Sequence, residues 1–297
     1  RVTLVSVISG LSVAGVAVGV AALVVVLSVM NGFFDVVRDL LVSYDPHVRV
    51  EAVGGGGIER PEALAAWARE EPGVVSATPF VEGKALLATP EGGTLNQVVV
   101  VRGVEASALD AEVERSIRDG AFDLARRDGT AGIVMGQALA SRTGVYAGDA
   151  GGGGAVALEG SRVTLLSAQA LSNAIQLYPF GLPDQRSFAV RGTFELEPTY
   201  DETHVFVALA EAQRLFQMPG EVSGVDLRLA DLDDAGAVRE RLQARLDAEA
   251  PGRYAVKTWY DLQGSLYMVM RLEKWAASAI LLLIIVVAAF NIVGALT

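Results

Sequence analysis

Two long apolar segments, one near each end, constrain this chain more than any other feature. No residue is charged from Val2 to Phe34, and a second uncharged run extends from Ala276 to Thr297. A bilayer core about 30 Å thick is crossed by roughly 20 apolar residues in a helix, so each run can span it. The first run also exceeds the roughly 7–15 apolar residues of a signal peptide. The sequence predicts two transmembrane helices, at residues 1–34 and within 259–297.

The charged residues are concentrated between these two runs. Apart from Arg1, all of them lie between Asp35 and Lys274, and the whole chain carries a net charge of −11. A strongly acidic domain does not bind nucleic acid by neutralising phosphates, so we expect no nucleic-acid partner. The sequence therefore predicts one large extramembrane domain over residues 35–258.

The pattern of apolar residues predicts an α+β domain. Pro46–Val53 alternates as a strand and is followed by a helix opening at Arg60-Pro61-Glu62. A similar unit recurs near the other end, where the strand Gly224–Leu229 precedes a helix over Asp231–Ala250 and a strand at Tyr254–Thr258. We interpret residues of about 45–95 and 220–258 as halves of one split βαβ subdomain. A β-rich subdomain of about 96–219 is inserted between them. Residues 259–297 are predicted to form an amphipathic helix that runs into the second span.

One segment of the insertion, Ser167–Arg186, has a different character. It combines large apolar side chains with turn-forming residues. Its prolines and glycine interrupt the backbone geometry of a helix or strand, so we expect no long element across it. Two interpretations remain open from the residues alone. The segment is either a loop packed on its own domain, or a protruding hairpin whose apolar tip docks on a partner.

The chemistry of an enzyme is missing from the sequence. The chain has no cysteine, and none of its three lysines follows the Gly-rich turn of a P-loop, so we expect no ATP hydrolysis and no bound cofactor. The two histidines, His47 and His204, fall on different predicted strands, and no serine has the Gly-x-Ser-x-Gly setting. We therefore predict no catalytic residue and no metal site.

Three motifs resemble LolC/LolE-type lipoprotein-releasing ABC transporter permeases. They are Val26–Phe33 at the end of the first run, Arg186–Phe194 in the insertion, and Arg271–Trp275 followed by Val286–Ile292 at the second run. Because the motifs lie at both ends and in the middle, the resemblance covers the whole chain. It implies a multi-pass protein of the bacterial inner membrane, with a porter-like domain in the periplasm.

The resemblance also implies the partners. Such permeases extract lipoproteins from the membrane lipid and pass them to a periplasmic carrier of the LolA type. A second permease subunit, identical or related, and a dimer of a separate ATPase that binds ATP and Mg complete the transporter. The family has four spans, so the resemblance implies that this chain is a fragment truncated after the second.

Functional residues follow from the resemblance, which favours the docking hairpin over the packed loop. The carrier-binding hook would comprise Ile175, Leu177, Tyr178, Pro179, Phe180, Gly181, Leu182 and Pro183. The carrier-binding pad beside it would comprise Arg162, Gln185 and Arg186. Residues expected to contact lipid or lipoprotein are Met30 and Phe33 on the first span and Leu266 and Met270 on the helix that enters the second.

Two other functions fit the same topology. A permease of the macrolide-exporter or cell-division type would work as a mechanical lever without the hook. Reconstituted lipoprotein release would distinguish it from a lipoprotein-releasing permease. A two-span sensor with an extracytoplasmic ligand-binding domain predicts a coiled coil after Thr297, where a permease predicts further apolar spans.

Overall fold

The computed structural model describes residues 13–15, 17–22, 24–30, 32–33, 46–89, 97–105, 111–148, 160–167, 185–262 and 264–296. The chain divides into two compact units. The first unit comprises Arg1–Ser43 and Tyr260–Thr297, and the second comprises Tyr44–Trp259.

The first unit is helical. Among the described residues, Val13–Met30 is the helix long and apolar enough to cross a membrane, with a mean hydropathy of 2.7. The helix Gly264–Leu296 also belongs to this unit. The two helices touch, because a Cβ added at Gly19 would lie 3.8 Å from Ile284 Cγ2. The pair of flanking spans remains a prediction.

The second unit combines strands and helices, and its mixed content confirms that part of the predicted fold class. Its strands are β1 Val48–Ala52, β2 Ile58–Glu59, β3 Val74–Ala88, β4 Gln97–Val104, β5 Ile117–Gly120, β6 Ala131–Gly136, β7 Arg162–Ser167, β8 Gln185–Phe194, β9 His204–Ala208, β10 Glu221–Val222, β11 Gly224–Leu229 and β12 Tyr254–Thr258. Its helices are α1 Pro61–Arg69, α2 Ala111–Arg115, α3 Gln137–Thr143, α4 Pro198–Thr203, α5 Leu209–Leu215 and α6 Ala235–Glu249. Two helices follow at the end of the chain, α7 Trp259–Leu262 and α8 Gly264–Leu296.

Four antiparallel strands form what we call the open sheet, in the order β12-β1-β11-β3. Its connections β1-α1-β3 and β11-α6-β12 make it a split β-α-β arrangement. Helix α6 buries Val238, Leu242 and Leu246, whose spacing of four residues places them on one face. Opposite them, Val225 and Leu227 of β11 are fully buried, so the helices cover one face of the sheet.

Six strands form a closed ring that we call the barrel. The pairs run β3-β4-β9-β6-β8-β7 and back to β3, so every strand of the ring has two neighbours. Two of the pairs are parallel, β4 with β9 and β6 with β8, and the others are antiparallel. Alternate residues of each strand face inward and fill the ring with apolar side chains, among them Leu87, Val101, Ile133, Leu165, Phe188 and Val207.

Helix α5 packs closely against the barrel because two inward positions lack side chains. A Cβ at Gly103 would overlap the Cβ of Ala212, which lies on α5. A Cβ at Gly83 would overlap the ring of Phe216, the residue that follows α5. Ala212 is fully buried as a result, and the helix joins the apolar core of the barrel.

Strand β3 belongs to both sheets. Its residues 74–80 pair with β11 in the open sheet, and residues 81–87 pair with β4 in the barrel. The sequence-based boundary near residues 95 and 96 falls after this strand, whereas the change of sheet occurs within it. A long strand that continues from one sheet into another keeps one alternating pattern throughout, so the pattern alone does not mark the crossing.

Candidate functional site

The three residues of the predicted carrier-binding pad lie on strands β7 and β8. Arg162 begins β7, and Gln185 begins β8 opposite Leu166. Both side chains are exposed on the outer face, but their register positions are roughly 13 Å apart along the strands. Arg186 lies opposite Leu165, a residue of the barrel core, and therefore alternates onto the inner face. The structure brings Arg162 and Gln185 to one face and places Arg186 on the other.

The predicted hook, from Ile175 to Pro183, lies outside the described residues. The strands on either side of it are described. β7 ends at Ser167, β8 begins at Gln185, and Leu166 pairs with Gln185 in an antiparallel register. The segment 168–184 thus connects two adjacent antiparallel strands, which is the connection that a hairpin makes.

The residues predicted to contact lipid lie in the first unit. Met30 is partly buried and Phe33 is 59% exposed. Leu266 and Met270 lie within α8, and their side chains are outside the described part of the chain. Near them, Met268 is 71% exposed. Apolar side chains exposed on a helix are typical of a surface that faces lipid or further helices.

The structure reveals a buried charge cluster that sequence reasoning missed, where the open sheet meets the barrel. Arg49 of β1 donates to Asp226 of β11 through Nε at 2.7 Å and Nη2 at 3.3 Å. Nη2 of Arg102 on β4 donates to the Asp226 oxygen that also accepts from Arg49 Nη2, and Arg102 Nη1 donates to Glu82 at 2.7 Å. The ring of Phe80 packs against both guanidinium groups, with its centroid 4.4 Å from Cζ of Arg49 and 4.6 Å from Cζ of Arg102. We call these five residues the junction network.

The junction network joins the two sheets through side chains. Arg49 and Asp226 belong to the open sheet and are 9% and 8% exposed, whereas Arg102 belongs to the barrel. Burial alone would lower the pKa of the Arg49 guanidinium, but the charges of Asp226, Glu82 and Glu51 outweigh it and raise the pKa above its ordinary value. The same competition raises the pKa of Arg102, with Asp226 as its strongest partner. Both arginines therefore stay charged, and the cluster is held by paired charges.

The junction network forms part of the wall of a cleft of about 630 Å³. Arg49, Phe80 and Glu82 line one side of it. The turn Gly55–Gly57 and the turn of residues 216–218 line the others. The cleft lies beside β3 at the place where this strand passes from the open sheet into the barrel. A volume in the range of roughly 300–1,000 Å³ is typical of ligand sites.

A weak signal in the sequence points to the junction network. Asp226 and Arg49 occupy the polar positions of strands whose apolar positions face the helices, so alternation predicts that both lie on the opposite face. Alternation gives no sign that this face is covered. Arg102 and Phe80 cover this face. Glu82 lies opposite Arg102 in the register of β3 and β4, and alternation within one strand does not predict which residue of another strand lies opposite.

The fold and the junction now allow comparison with known proteins. A family model of the MacB-like periplasmic core domain matches residues 9–245. The chain belongs to this family. The match covers both halves of the open sheet up to helix α6, together with the barrel inserted between them.

Relatives of this MacB-like chain include proteins of lipoprotein-releasing systems. LolC of Xylella fastidiosa (strain 9a5c) is 32% identical over 294 residues, which cover 98% of this chain and 64% of the relative. LolE of Haemophilus influenzae is 27% identical over 299 residues, covering 99% of this chain and 66% of the relative. The chain thus spans less than two thirds of these relatives' length. The resemblance to LolC/LolE-type permeases is confirmed.

Solved structures give a more distant likeness. The periplasmic region of MacB from Actinobacillus actinomycetemcomitans matches with a TM-score of 0.45 at 10% identity. The match covers 77% of this chain and 95% of that structure.

Proposed function

We propose that this chain is part of a permease subunit of an ABC transporter that extracts lipoproteins from the bacterial inner membrane. The observation that carries the proposal is the 32% identity with LolC over 98% of the chain. Identity over this extent includes both apolar runs as well as the domain between them. The permease would hand its cargo to a periplasmic carrier, with the MacB-like domain on the periplasmic side.

The energy source would be a separate ATPase. The chain lacks the P-loop that holds ATP phosphates, so ATP and Mg would bind to a partner dimer. A second permease subunit, identical or related, would complete the membrane part. Helix Val13–Met30 and helix α8 are apolar and largely exposed, and such surfaces fit contact with lipid and with helices of that partner.

Carrier docking is proposed for the β7–β8 hairpin. Its described base supports a connection that leaves the barrel at Ser167 and returns at Gln185. The hook residues Ile175–Pro183 would insert apolar side chains into the carrier. Arg162 and Gln185, which share the outer face of the hairpin, would supply its polar pad, and Arg186 would act from the inner side.

Acyl chains of the cargo are proposed to enter beside the two helices of the first unit. Met30 and Phe33 would contact them from one helix, and Leu266 and Met270 from α8. Phe33 is 59% exposed, which leaves its ring free to meet a lipid chain. Flexible methionine side chains suit acyl chains of varying shape.

Carrier pull-down tests the docking proposal. We would replace Tyr178 and Phe180 with Asp in the complete permease and measure the amount of carrier retained. The expected result is loss of most binding, because a charge in an apolar contact must be desolvated. Tyr146→Asp is the matched control, since Tyr146 is a 59% exposed aromatic residue outside the hook. Undiminished binding by the hook variant would sink the hook assignment.

A second candidate is a permease that works as a mechanical lever, as in macrolide exporters. The match of residues 9–245 to the MacB-like periplasmic core domain favours it. ATP-dependent release of a lipoprotein from proteoliposomes to the carrier would separate the two candidates. Release supports the first, and its absence with an active ATPase supports the second.

A further inference from the structure

The cleft lies at a gap in the strand pairing of β3. On one edge of β3, β11 pairs up to Phe80 and β7 pairs from Ala85 onward, so no described strand is paired with residues 81–84 on this edge. Within this gap the hydroxyl of Ser223 accepts from the N–H of Glu82 at 3.0 Å and donates to its C=O at 3.3 Å. Lys84 lies two residues further on and presents its backbone at the same edge. Ser223 thus satisfies the backbone of Glu82, and the backbone of Lys84 is the part of this edge with which an extended polypeptide could pair.

Two charges of opposite sign that line the cleft have no ion-pair partner among the described residues. Lys84 is exposed, and Glu221 is partly buried on the opposite wall. The carboxylate of Glu221 lies against Gly57, because a Cβ at Gly57 would overlap it. By contrast, Arg49 and Glu82 on the same cleft are both paired within the junction network. The cleft is thus suited to a ligand with both positive and negative groups.

The remaining walls of the cleft accept side chains of different sizes. Gly55 and Gly56 have no side chains and open space beside them, whereas the carboxylate of Glu221 fills the space beside Gly57. Phe216 and Met218 add apolar surface at the other wall, where they pack on the barrel core. A methionine and a glycine turn adapt to many partners. The site therefore favours the shape of an extended chain over one particular sequence.

We propose that this cleft receives an extended segment of cargo polypeptide, the stretch that follows the acylated end of a lipoprotein. The inference rests on the proposed function. Backbone pairing at Lys84 and the two charges of opposite sign would hold peptides of varied sequence, which is what a permease for many lipoproteins needs. The acyl chains would be held elsewhere, by the membrane helices.

Photo-crosslinking in the complete transporter tests this proposal. Because the chain has no cysteine, Met218→Cys gives one labelling site in it for a benzophenone maleimide. The labelled permease, with its ATPase and an acylated model lipoprotein in proteoliposomes, is expected to form a permease–lipoprotein adduct on illumination. Val75→Cys is the matched control, since Val75 is 67% exposed on β3 away from the cleft. Equal adduct at both positions, or none at 218, would overturn the proposal.

Two further outcomes separate the cleft from the function as a whole. Lipoprotein release measured in the same vesicles shows whether the transporter works; release without an adduct at 218 rejects the cleft and leaves the proposed function standing. An adduct between residue 218 and the chain's own segment 168–184, formed with cargo present, also rejects the proposal. Lys84→Glu is expected to lower the lipoprotein adduct by about threefold to fivefold, the ratio that one exposed ion pair supports. Unchanged adduct in both Lys84→Glu and Glu221→Lys would show that the two charges do not contact cargo.

Discussion

The open sheet and the barrel share strand β3 but satisfy their backbone edges in different ways. The barrel closes on itself, so each of its six strands pairs with two neighbours and its interior is apolar. Among the described residues, the open sheet ends at β12, which pairs with β1 alone. At this edge, polar side chains form hydrogen bonds with backbone groups that neighbouring strands would satisfy in the barrel. Gln243 of α6 accepts from the N–H of Val256 at 2.8 Å and donates to the C=O of Tyr254 at 3.0 Å, both on β12.

This contrast indicates where each half of the domain is vulnerable. In the open sheet a few hydrogen-bonded side chains carry the stability of an edge and of the junction, so single polar substitutions should matter. In the barrel the apolar interior is spread over many side chains, and the loss of one methylene should cost little. Four substitutions test this contrast. Each is made in the compact unit Tyr44–Trp259, and its free energy of unfolding is measured in urea.

The largest effect is expected for Asp226→Ala in the junction network. Removal of this carboxylate leaves Arg49 and Arg102 close together without their shared partner. Breaking a buried ion pair from one side costs about 3–5 kcal/mol in the free energy of unfolding. A loss below about 1 kcal/mol would instead class the network with ordinary surface ion pairs.

A charge-free version of the junction provides the control. The triple variant Arg49→Met, Arg102→Met, Asp226→Leu removes all three charges together. Replacing a whole buried ion cluster with apolar residues is often neutral or stabilising, so most of the lost stability should return. If the triple variant is as unstable as Asp226→Ala, packing around Phe80 rather than charge pairing sets the cost.

A smaller effect is expected for Gln243→Ala at the outer edge of the open sheet. The change leaves the N–H of Val256 and the C=O of Tyr254 without this partner, at a cost of about 1–3 kcal/mol. It also frees an edge strand for pairing with another copy, so gel filtration should show more self-association. Gln213→Ala is the matched control, because the side chain of Gln213 makes one described hydrogen bond, to the C=O of Glu221. Equal losses in the two variants would contradict the special role of the β12 edge.

The fold was predictable where its signals are local. The helix of α6 follows from the spacing of Val238, Leu242 and Leu246, and the flanking strands follow from alternation. Closure of the barrel was not predictable, because it depends on parallel pairs such as Val100 with His204, about a hundred positions apart. Alternation predicts which face of the sheet a residue occupies, but it does not predict which strand pairs with the strand of that residue.

The candidate site shows the same limit. The resemblance groups Arg162, Gln185 and Arg186 as one pad, without regard to the face of the sheet on which each lies. Once β8 is recognised as a strand, alternation with Phe188 assigns Arg186 to the inner face, so the signal was present in the sequence. The junction network had a weaker signal, since alternation places Asp226 and Arg49 on the face away from the helices but does not show that Arg102 lies there.

A modest effect is expected inside the barrel for Ile133→Val. Ile133 is fully buried, and removal of one methylene leaves a small cavity that costs about 0.5–1.5 kcal/mol. Ile117→Val on the edge strand β5 is the control, since Ile117 is only partly buried and should lose less. A loss for Ile133→Val that matches Asp226→Ala would remove the proposed contrast between the two halves.

The smallest effect concerns a second buried acid, Asp201 of α4, which is 7% exposed and accepts from the N–H of Leu196 at 2.8 Å. Burial raises the pKa of its carboxyl above the ordinary value, despite that hydrogen bond. Because the pKa is raised in the folded state, protonation of Asp201 stabilises the fold. This contribution is complete below the pKa of the unfolded chain, about 3.9, and is lost as the pH rises through the pKa of the folded state.

Asp201→Asn tests how Asp201, which accepts a hydrogen bond from the backbone, differs from Asp226, which has two arginine partners. The amide keeps an acceptor for Leu196 and stays neutral, so the variant should be slightly more stable than the parent at pH 7. The gain should be smaller than the loss for Ile133→Val and should vanish near pH 3, where the parent is protonated too. Asp231→Asn, at an exposed acid that also accepts a backbone N–H, is the matched control for the change of side chain. A variant that is less stable than the parent at pH 7 would mean that the carboxylate's stronger hydrogen bond outweighs its burial.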